Sequence, residues 1–91
     1  MTKPHILLVD DDERLRDLLR KFLVENGFFV STAREAEHAR GLIDLFLFDL
    51  IILDVMMPEE DGFSLADFIR KGPVRLKDVP ILFLTAMGET E

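Results

Sequence analysis

Residues Leu50 to Leu53 form an uninterrupted run of branched apolar side chains that ends at Asp54. Such a run, bounded by turn residues, is typical of a strand buried on both faces in a parallel sheet. The turn that follows leads into Asp61-Gly62, where a helix is predicted to begin. Asp54 is therefore expected at the carboxyl end of a central strand, which is where open α/β sheets bind their ligands. The residues alone equally allow a structural role, in which Asp54 caps the segment that follows it.

Alternating strand and helix patterns extend along the chain and predict one domain over residues 1–91. Four apolar runs are predicted strands, at residues 5–9, 28–30, 49–53 and 79–84. Three amphipathic segments lie between them, and the second is predicted to begin at a capping box formed by Thr32 and Glu35. The order β-α-β-α-β-α-β implies a flavodoxin-like three-layer α/β sandwich, with a parallel sheet of strand order 2-1-3-4.

The helical spacing also predicts which side chains share a face of each helix. In the first helix, five apolar side chains share one face: Leu15, Leu18, Leu19, Phe22 and Leu23. In the third helix, three side chains are expected in the core: Leu65, Phe68 and Ile69. The apolar segment 45–48 is open to three interpretations: it extends the second helix, packs against the sheet, or forms an exposed patch.

Composition narrows the classes of function. The chain has no cysteine, which excludes disulfides and thiolate metal sites. Its formal net charge of −7 argues against nucleic-acid binding and favours a cation or a basic partner. No stretch resembles a signal peptide or is long enough to span a bilayer, so we expect a cytoplasmic protein without membrane association.

Carboxylates from two strands are expected to meet at one edge of the sheet. Asp10 and Asp11 follow the first strand as Asp54 ends the third, and these strands are neighbours in the flavodoxin-like order. Clustered carboxylates either take up a proton or bind a hard divalent cation, and Mg²⁺ suits oxygen ligands beside a phosphoryl group. Asp54 could then act as a nucleophile, with the Thr85 hydroxyl and the Ala86 amide contacting phosphoryl oxygens. Each residue also has a structural alternative, as a helix cap or a strand-end hydrogen bond.

Four sequence blocks carry a more specific pattern: ILLVDD at 6–11, DLIILDVMMP at 49–58, DG at 61–62 and PILFLTA at 80–86. Together they resemble the receiver domain of two-component response regulators. The resemblance implies that Asp54 accepts a phosphoryl group from the phosphohistidine of a sensor histidine kinase. It also implies Mg²⁺ bound by Asp11, Asp54 and the backbone carbonyl of Met56, with Asp10 acting largely through water and Thr85 as the switch hydroxyl.

The same resemblance implies a signalling domain that assists only its own phosphoryl transfer, and so not an enzyme. The Met-Met-Pro turn is similar to that of receivers that precede a winged-helix DNA-binding domain and regulate transcription.

The sequence departs from this family after the fourth strand. A receiver continues with a helix, a fifth strand ending in Lys-Pro and a final helix, and none of these follows Thr85 here. No lysine of the chain can therefore be assigned to pair with the phosphate. We expect an incomplete receiver domain, and a fourth-strand edge that invites formation of a homodimer.

Two other functions are open on the sequence. A receiver-like interaction domain would work by protein contact without phosphorylation, and the missing lysine favours it, whereas the acidic residues do not. A phosphohydrolase would use Asp10-Asp11-Asp12 as its nucleophile motif, but that leaves the Asp54 stretch unexplained. A chain of 91 residues also has little room for a cap over a substrate.

Overall fold

The computed structural model is a four-stranded parallel sheet with helices on both faces, and it describes residues 3–57, 60–73 and 76–84. The elements in chain order are β1 (His5–Val9), α1 (Glu13–Glu25), β2 (Phe29–Ala33), α2 (Ala36–Leu45), β3 (Leu50–Asp54), α3 (Gly62–Arg70) and β4 (Ile81–Leu84). The strand order is β2-β1-β3-β4, which confirms the predicted flavodoxin-like topology. None of the helices in these ranges is long and apolar enough to cross a membrane.

The sheet buries both of its faces, because side chains alternate between them along each strand. One face packs beneath α2 and α3, where Leu7, Val9 and Leu53 contact helix side chains such as Ile43 and Leu65. The opposite face carries a smaller cluster, whose buried members are Ile6, Leu8 and Ile52. The central strands β1 and β3 are therefore enclosed on both sides, as the continuous apolar runs predict.

Helix α1 buries less of its apolar face than its spacing predicts. Leu19 and Leu23 pack against the sheet, but Leu15, Leu18 and Phe22 are exposed, the last two by 65% and 59%. Three of the five side chains on the predicted apolar face are therefore not covered by the sheet. Helix α1 lies over β1 and β2, and within the described ranges no second helix packs beside it to cover the flank that these side chains form.

Two further local predictions are wrong. The capping box of Thr32 and Glu35 does not form, because β2 continues to Ala33 and pairs with β1 there. Glu35 is the N-cap of α2, but its side chain makes no capping hydrogen bond. Phe68 is 40% exposed rather than buried, and its ring lies under the guanidinium of Arg40.

The apolar segment 45–48 is partly buried against the core and partly an exposed patch. Leu45 is the last residue of α2, and it is exposed together with Phe46 and Leu47. Phe48 alone is buried, and its ring lies 4.5 Å from that of His5 at the start of β1. The segment therefore attaches to the core through one ring and leaves an apolar patch at the amino edge of the sheet.

Candidate metal centre

Three carboxylates converge at the carboxyl edge of the sheet. Strands β1 and β3 are paired with Val9 opposite Leu53, so the residues that follow each strand meet at the same edge. The ligand oxygens of Asp10, Asp11 and Asp54 all lie within 4.8 Å of one another. The structure thus brings together the three side chains that the sequence places at the ends of neighbouring strands.

Asp10 is the buried member of the cluster, with 2% of its surface exposed. Its Oδ1 accepts a hydrogen bond of 2.9 Å from the Asp12 amide, and its backbone carbonyl accepts one of 2.7 Å from Arg16 Nη1. Burial raises the pKa of Asp10, and the negative charge of Asp11 raises it further, whereas the Asp12 amide opposes both. The side chain is therefore held in place where its charge is poorly solvated.

Asp54 ends β3 and is partly buried. Its Oδ1 accepts a hydrogen bond of 3.0 Å from the Met56 amide. Burial is the largest cause that raises the pKa of Asp54 to about 6, and its contacts with Asp11 and Asp10 add to the increase. The Met56 amide works in the opposite direction by stabilising the ionised form. At neutral pH Asp54 is therefore a carboxylate, but one whose charge the surroundings disfavour.

The carboxylates open into a cleft of about 240 Å³. Its other lining side chains are Asp12, Leu15, Met56 and Leu84. Asp12 has a separate structural role, because its Oδ1 caps α1 by accepting from the amides of Arg14 and Leu15. The cleft is thus acidic at its base and apolar at its rim.

The loop after Asp54 is closed at its base by tight backbone contacts. The Gly62 amide donates to the Val55 carbonyl at 2.9 Å, and the Val55 amide donates to the Leu84 carbonyl at 3.0 Å. A Cβ at position 62 would fall onto the carbonyl oxygen of Asp54, so only glycine allows α3 to begin this close to β3. The Asp-Gly pattern predicts the start of the helix, but nothing in the sequence reveals this close approach.

The donor set fits a hard divalent cation. All three side chains offer carboxylate oxygens, which are the ligands that Mg²⁺ prefers. An octahedron with bonds of about 2.0–2.1 Å separates its ligands by roughly 2.9–4.2 Å, which is compatible with the spread of the cluster. Among the described residues, no ion pair reaches these carboxylates, and the neighbouring Arg16 guanidinium donates to the backbone carbonyl of Asp10 rather than to a carboxylate. Thr85 and Ala86, the predicted hydroxyl and amide donors, lie outside the described residues.

Two curated proteins are similar in sequence to nearly the whole of this chain. PetR of Rhodobacter capsulatus is 56% identical over 87 residues, which are 96% of this chain and 35% of that protein. The transcriptional regulatory protein GltR of Pseudomonas aeruginosa is 47% identical over 85 residues, which are 92% of this chain and 34% of that protein. The chain therefore spans about a third of the length of these curated relatives.

The fold agrees with the solved structure of the response regulator TrrA from Thermotoga maritima in complex with Mg²⁺–BeF. The TM-score is 0.83 at 40% sequence identity, covering 94% of this chain and 70% of that one. The sequence profile of the response regulator receiver domain matches residues 6–91, which is nearly the whole chain. With its parallel sheet of order 2-1-3-4 and an acidic cluster at the carboxyl edge, this chain belongs to the response regulator receiver domain family of two-component signalling.

Proposed function

We propose that Asp54 accepts a phosphoryl group from the phosphohistidine of a sensor histidine kinase, in a site that binds Mg²⁺. The observation that carries the proposal is the convergence of Asp10, Asp11 and Asp54, none of which forms an ion pair with a described Lys or Arg side chain. Such a cluster is costly to the fold unless it binds a ligand of opposite charge. The magnesium in the TrrA complex supports the same use of the site here.

Each residue has a distinct part in the proposed transfer. An oxygen of the Asp54 carboxylate forms a bond to phosphorus while the bond between phosphorus and the histidine nitrogen of the kinase breaks. The Met56 amide orients Asp54 through its hydrogen bond to Oδ1. Asp11, Asp54 and the Met56 carbonyl would hold Mg²⁺, with Asp10 acting largely through water. When bound, the metal would neutralise negative charge on the phosphoryl oxygens.

Two roles in the proposal fall on residues 85 and 86. The Thr85 hydroxyl and the Ala86 amide would donate to phosphoryl oxygens, with Thr85 as the switch hydroxyl. By the family resemblance, the chain is a signalling domain and not an enzyme acting on a separate substrate. The name of GltR suggests transcription as the process that a longer protein of this kind regulates.

Labelling by a small acyl phosphate tests the acceptor directly. Intact mass spectrometry should find one added phosphoryl group per chain with Mg²⁺ and none with EDTA. Asp54→Asn should abolish the gain, whereas Asp78→Asn should not, because Asp78 is exposed and lies in a turn away from the cluster. Labelling that survives in Asp54→Asn but disappears in Asp10→Asn would contradict the proposal and favour the phosphohydrolase.

A receiver-like domain that acts by protein contact alone is the second candidate. The observation that favours it is the absence, among residues 3–57, 60–73 and 76–84, of a lysine paired with the site carboxylates. If wild-type protein gains no mass while an intact receiver is labelled in parallel, this second function replaces the first.

We also propose that two copies of the chain associate through β4. In the described chain, β4 pairs only with β3, and Leu82 and Phe83 are exposed on its two faces. An apolar edge strand without charge or proline is open to pairing with a second edge. Sedimentation velocity should show a dimer at high concentration that Leu82→Lys disrupts and Leu47→Lys does not. A compact monomer throughout would refute the association.

A further inference from the structure

We infer that Arg40 is a positioning residue for the loop between β3 and α3, and thereby for the metal ligands on that loop. The inference rests on the proposed function, because the ligands concerned are Asp54 and the carbonyl of Met56. Arg40 lies in the middle of α2, whereas Glu60 ends the loop just before α3. A side chain of one helix thus reaches a loop that begins at the candidate metal centre.

The contact between Arg40 and Glu60 uses both guanidinium nitrogens and both carboxylate oxygens. Nη1 donates to Oε1 at 2.7 Å, and Nη2 donates to Oε2 in a second, parallel hydrogen bond. The two side chains are only 27% and 24% exposed. The hydrogen bonds that Arg40 donates to Glu60 raise the pKa of Arg40 above its ordinary value. A two-point contact of this kind fixes direction as well as distance, which a single lysine amine does not.

The same guanidinium also contacts α3. Its central carbon lies 4.8 Å from the centre of the Phe68 ring, a separation suited to a cation–π interaction. Arg40 therefore joins α2 both to the residue before the N-cap of α3 and to a ring further along that helix. Phe68, which is 40% exposed, thus contacts a charged group on α2.

The remaining anchors of the loop lie at its base. The Gly62 amide and the Val55 amide close it through backbone hydrogen bonds, and Met56 is tied to Asp54. The Asp61 side chain caps its own helix by accepting from the Ser64 amide at 2.8 Å. Among the described loop residues, Glu60 is thus the one whose charged side chain is held by a different helix. Loss of the contact between Glu60 and Arg40 would therefore leave that end of the loop without its link to α2.

Five variants separate positioning from general stability. Arg40→Gln and Glu60→Gln each remove the ion pair and its two-point geometry, and the double variant shows whether the two changes act through the same contact. Lys71→Gln is the matched control, because it also removes a cation from an ion pair on α3, the exposed pair with Asp67 at 3.0 Å. Arg40→Lys keeps the positive charge but loses the two-point hydrogen bonding of the guanidinium. It tests the positioning role if Arg40→Gln does not fold.

Two measurements are made on each variant. Calorimetry measures the Mg²⁺ dissociation constant, which should rise about 3- to 10-fold in either single variant, somewhat less than for groups that directly support a metal ligand. Hydrogen exchange of the Gly62 amide in metal-free protein should be about 3- to 10-fold faster. The double variant should resemble Arg40→Gln, since that change already removes the ion pair with Glu60. Lys71→Gln should match wild type in both measurements.

The outcomes distinguish this inference from the proposed function. Wild-type Mg²⁺ affinity and wild-type Gly62 exchange in Arg40→Gln, with only a lower melting temperature, would overturn the positioning role. If wild type itself binds no Mg²⁺, the proposed function fails, and Gly62 exchange then decides whether Arg40 holds the loop.

Discussion

Replacing Asp54 with asparagine should make the metal-free protein more stable at neutral pH. Burial and the neighbouring carboxylates hold the pKa of Asp54 at about 6, against an ordinary value of 3.8. The folded protein therefore binds this proton more tightly than the unfolded chain does, so ionisation at neutral pH costs folding free energy. Asparagine has nearly the same shape and can still accept the hydrogen bond from Met56, but it carries no charge.

The size of the effect follows from the two pKa values. Well below pH 3.8 the carboxyl is protonated in both states and costs nothing. The penalty grows as the pH rises from about 3 to 6 and is nearly constant above about pH 7. The relation gives about 3 kcal/mol at pH 7.5 and about 0.5 kcal/mol at pH 4.0. Because Asp54 is partly solvated, the larger value is an upper limit, and we expect about 1–3 kcal/mol at pH 7.5.

Urea unfolding followed by far-ultraviolet circular dichroism, with EDTA present, measures the difference at the two pH values. Asp78→Asn removes the same unit of negative charge from an exposed turn and should leave the free energy of unfolding nearly unchanged. Equal stability of Asp54→Asn and wild type at pH 7.5 would refute the reasoning. So would a gain that persists undiminished at pH 4.0. An equal gain in Asp78→Asn would assign the effect to net charge.

Three further outcomes test the site and the fold. Calorimetric Mg²⁺ affinity should rise about 10-fold between pH 5 and 7, because the ionised fraction of Asp54 rises through its pKa of about 6; a flat profile would contradict this. Gly62→Ala should lower the free energy of unfolding by about 1–3 kcal/mol, because its Cβ meets the Asp54 backbone, whereas Gly41→Ala in open space within α2 should raise it by about 0.5–1 kcal/mol. Ile69→Ala in the core should lower the free energy of unfolding by about 2–5 kcal/mol, whereas Leu47→Ala at an exposed position should change it by less than about 0.5 kcal/mol. Urea unfolding measures both the glycine pair and this pair. Equal effects within either pair would contradict the packing described.

The topology was predictable because the amino-acid composition of the central strands indicates that both of their faces are buried. Leu50 to Leu53 are apolar at every position, which suits only a strand covered on both faces, and the structure encloses it between α1 on one side and α2 and α3 on the other. Once β1 and β3 are neighbours, the meeting of Asp10 with Asp54 follows from the parallel register. Strand order and the acidic cluster are therefore consequences of one pattern.

Contacts between elements were not predictable in the same way. The face of α1 has helical spacing throughout, but which part of it is buried depends on what else packs on that side of the sheet. Thr32 and Glu35 match a capping box, yet pairing with β1 keeps Thr32 in a strand, since ladder hydrogen bonds outweigh a local cap. The contact between Arg40 and Glu60 joins residues twenty positions apart on separate elements, and no local spacing encodes it.

The acidic cluster lies where the fold is least able to relieve it. Val9 and Leu53, which immediately precede the carboxylates, are fully buried and paired with each other in the centre of the sheet. The backbone cannot move apart to separate the charges without breaking that pairing, so the repulsion persists in the metal-free protein. A bound cation would stabilise the ionised form of Asp54 by offsetting the repulsion from Asp10 and Asp11, whereas the larger contribution of burial to the raised pKa would remain. The part of the cost in folding stability that comes from repulsion among the carboxylates would therefore add to the affinity of the site for a cation.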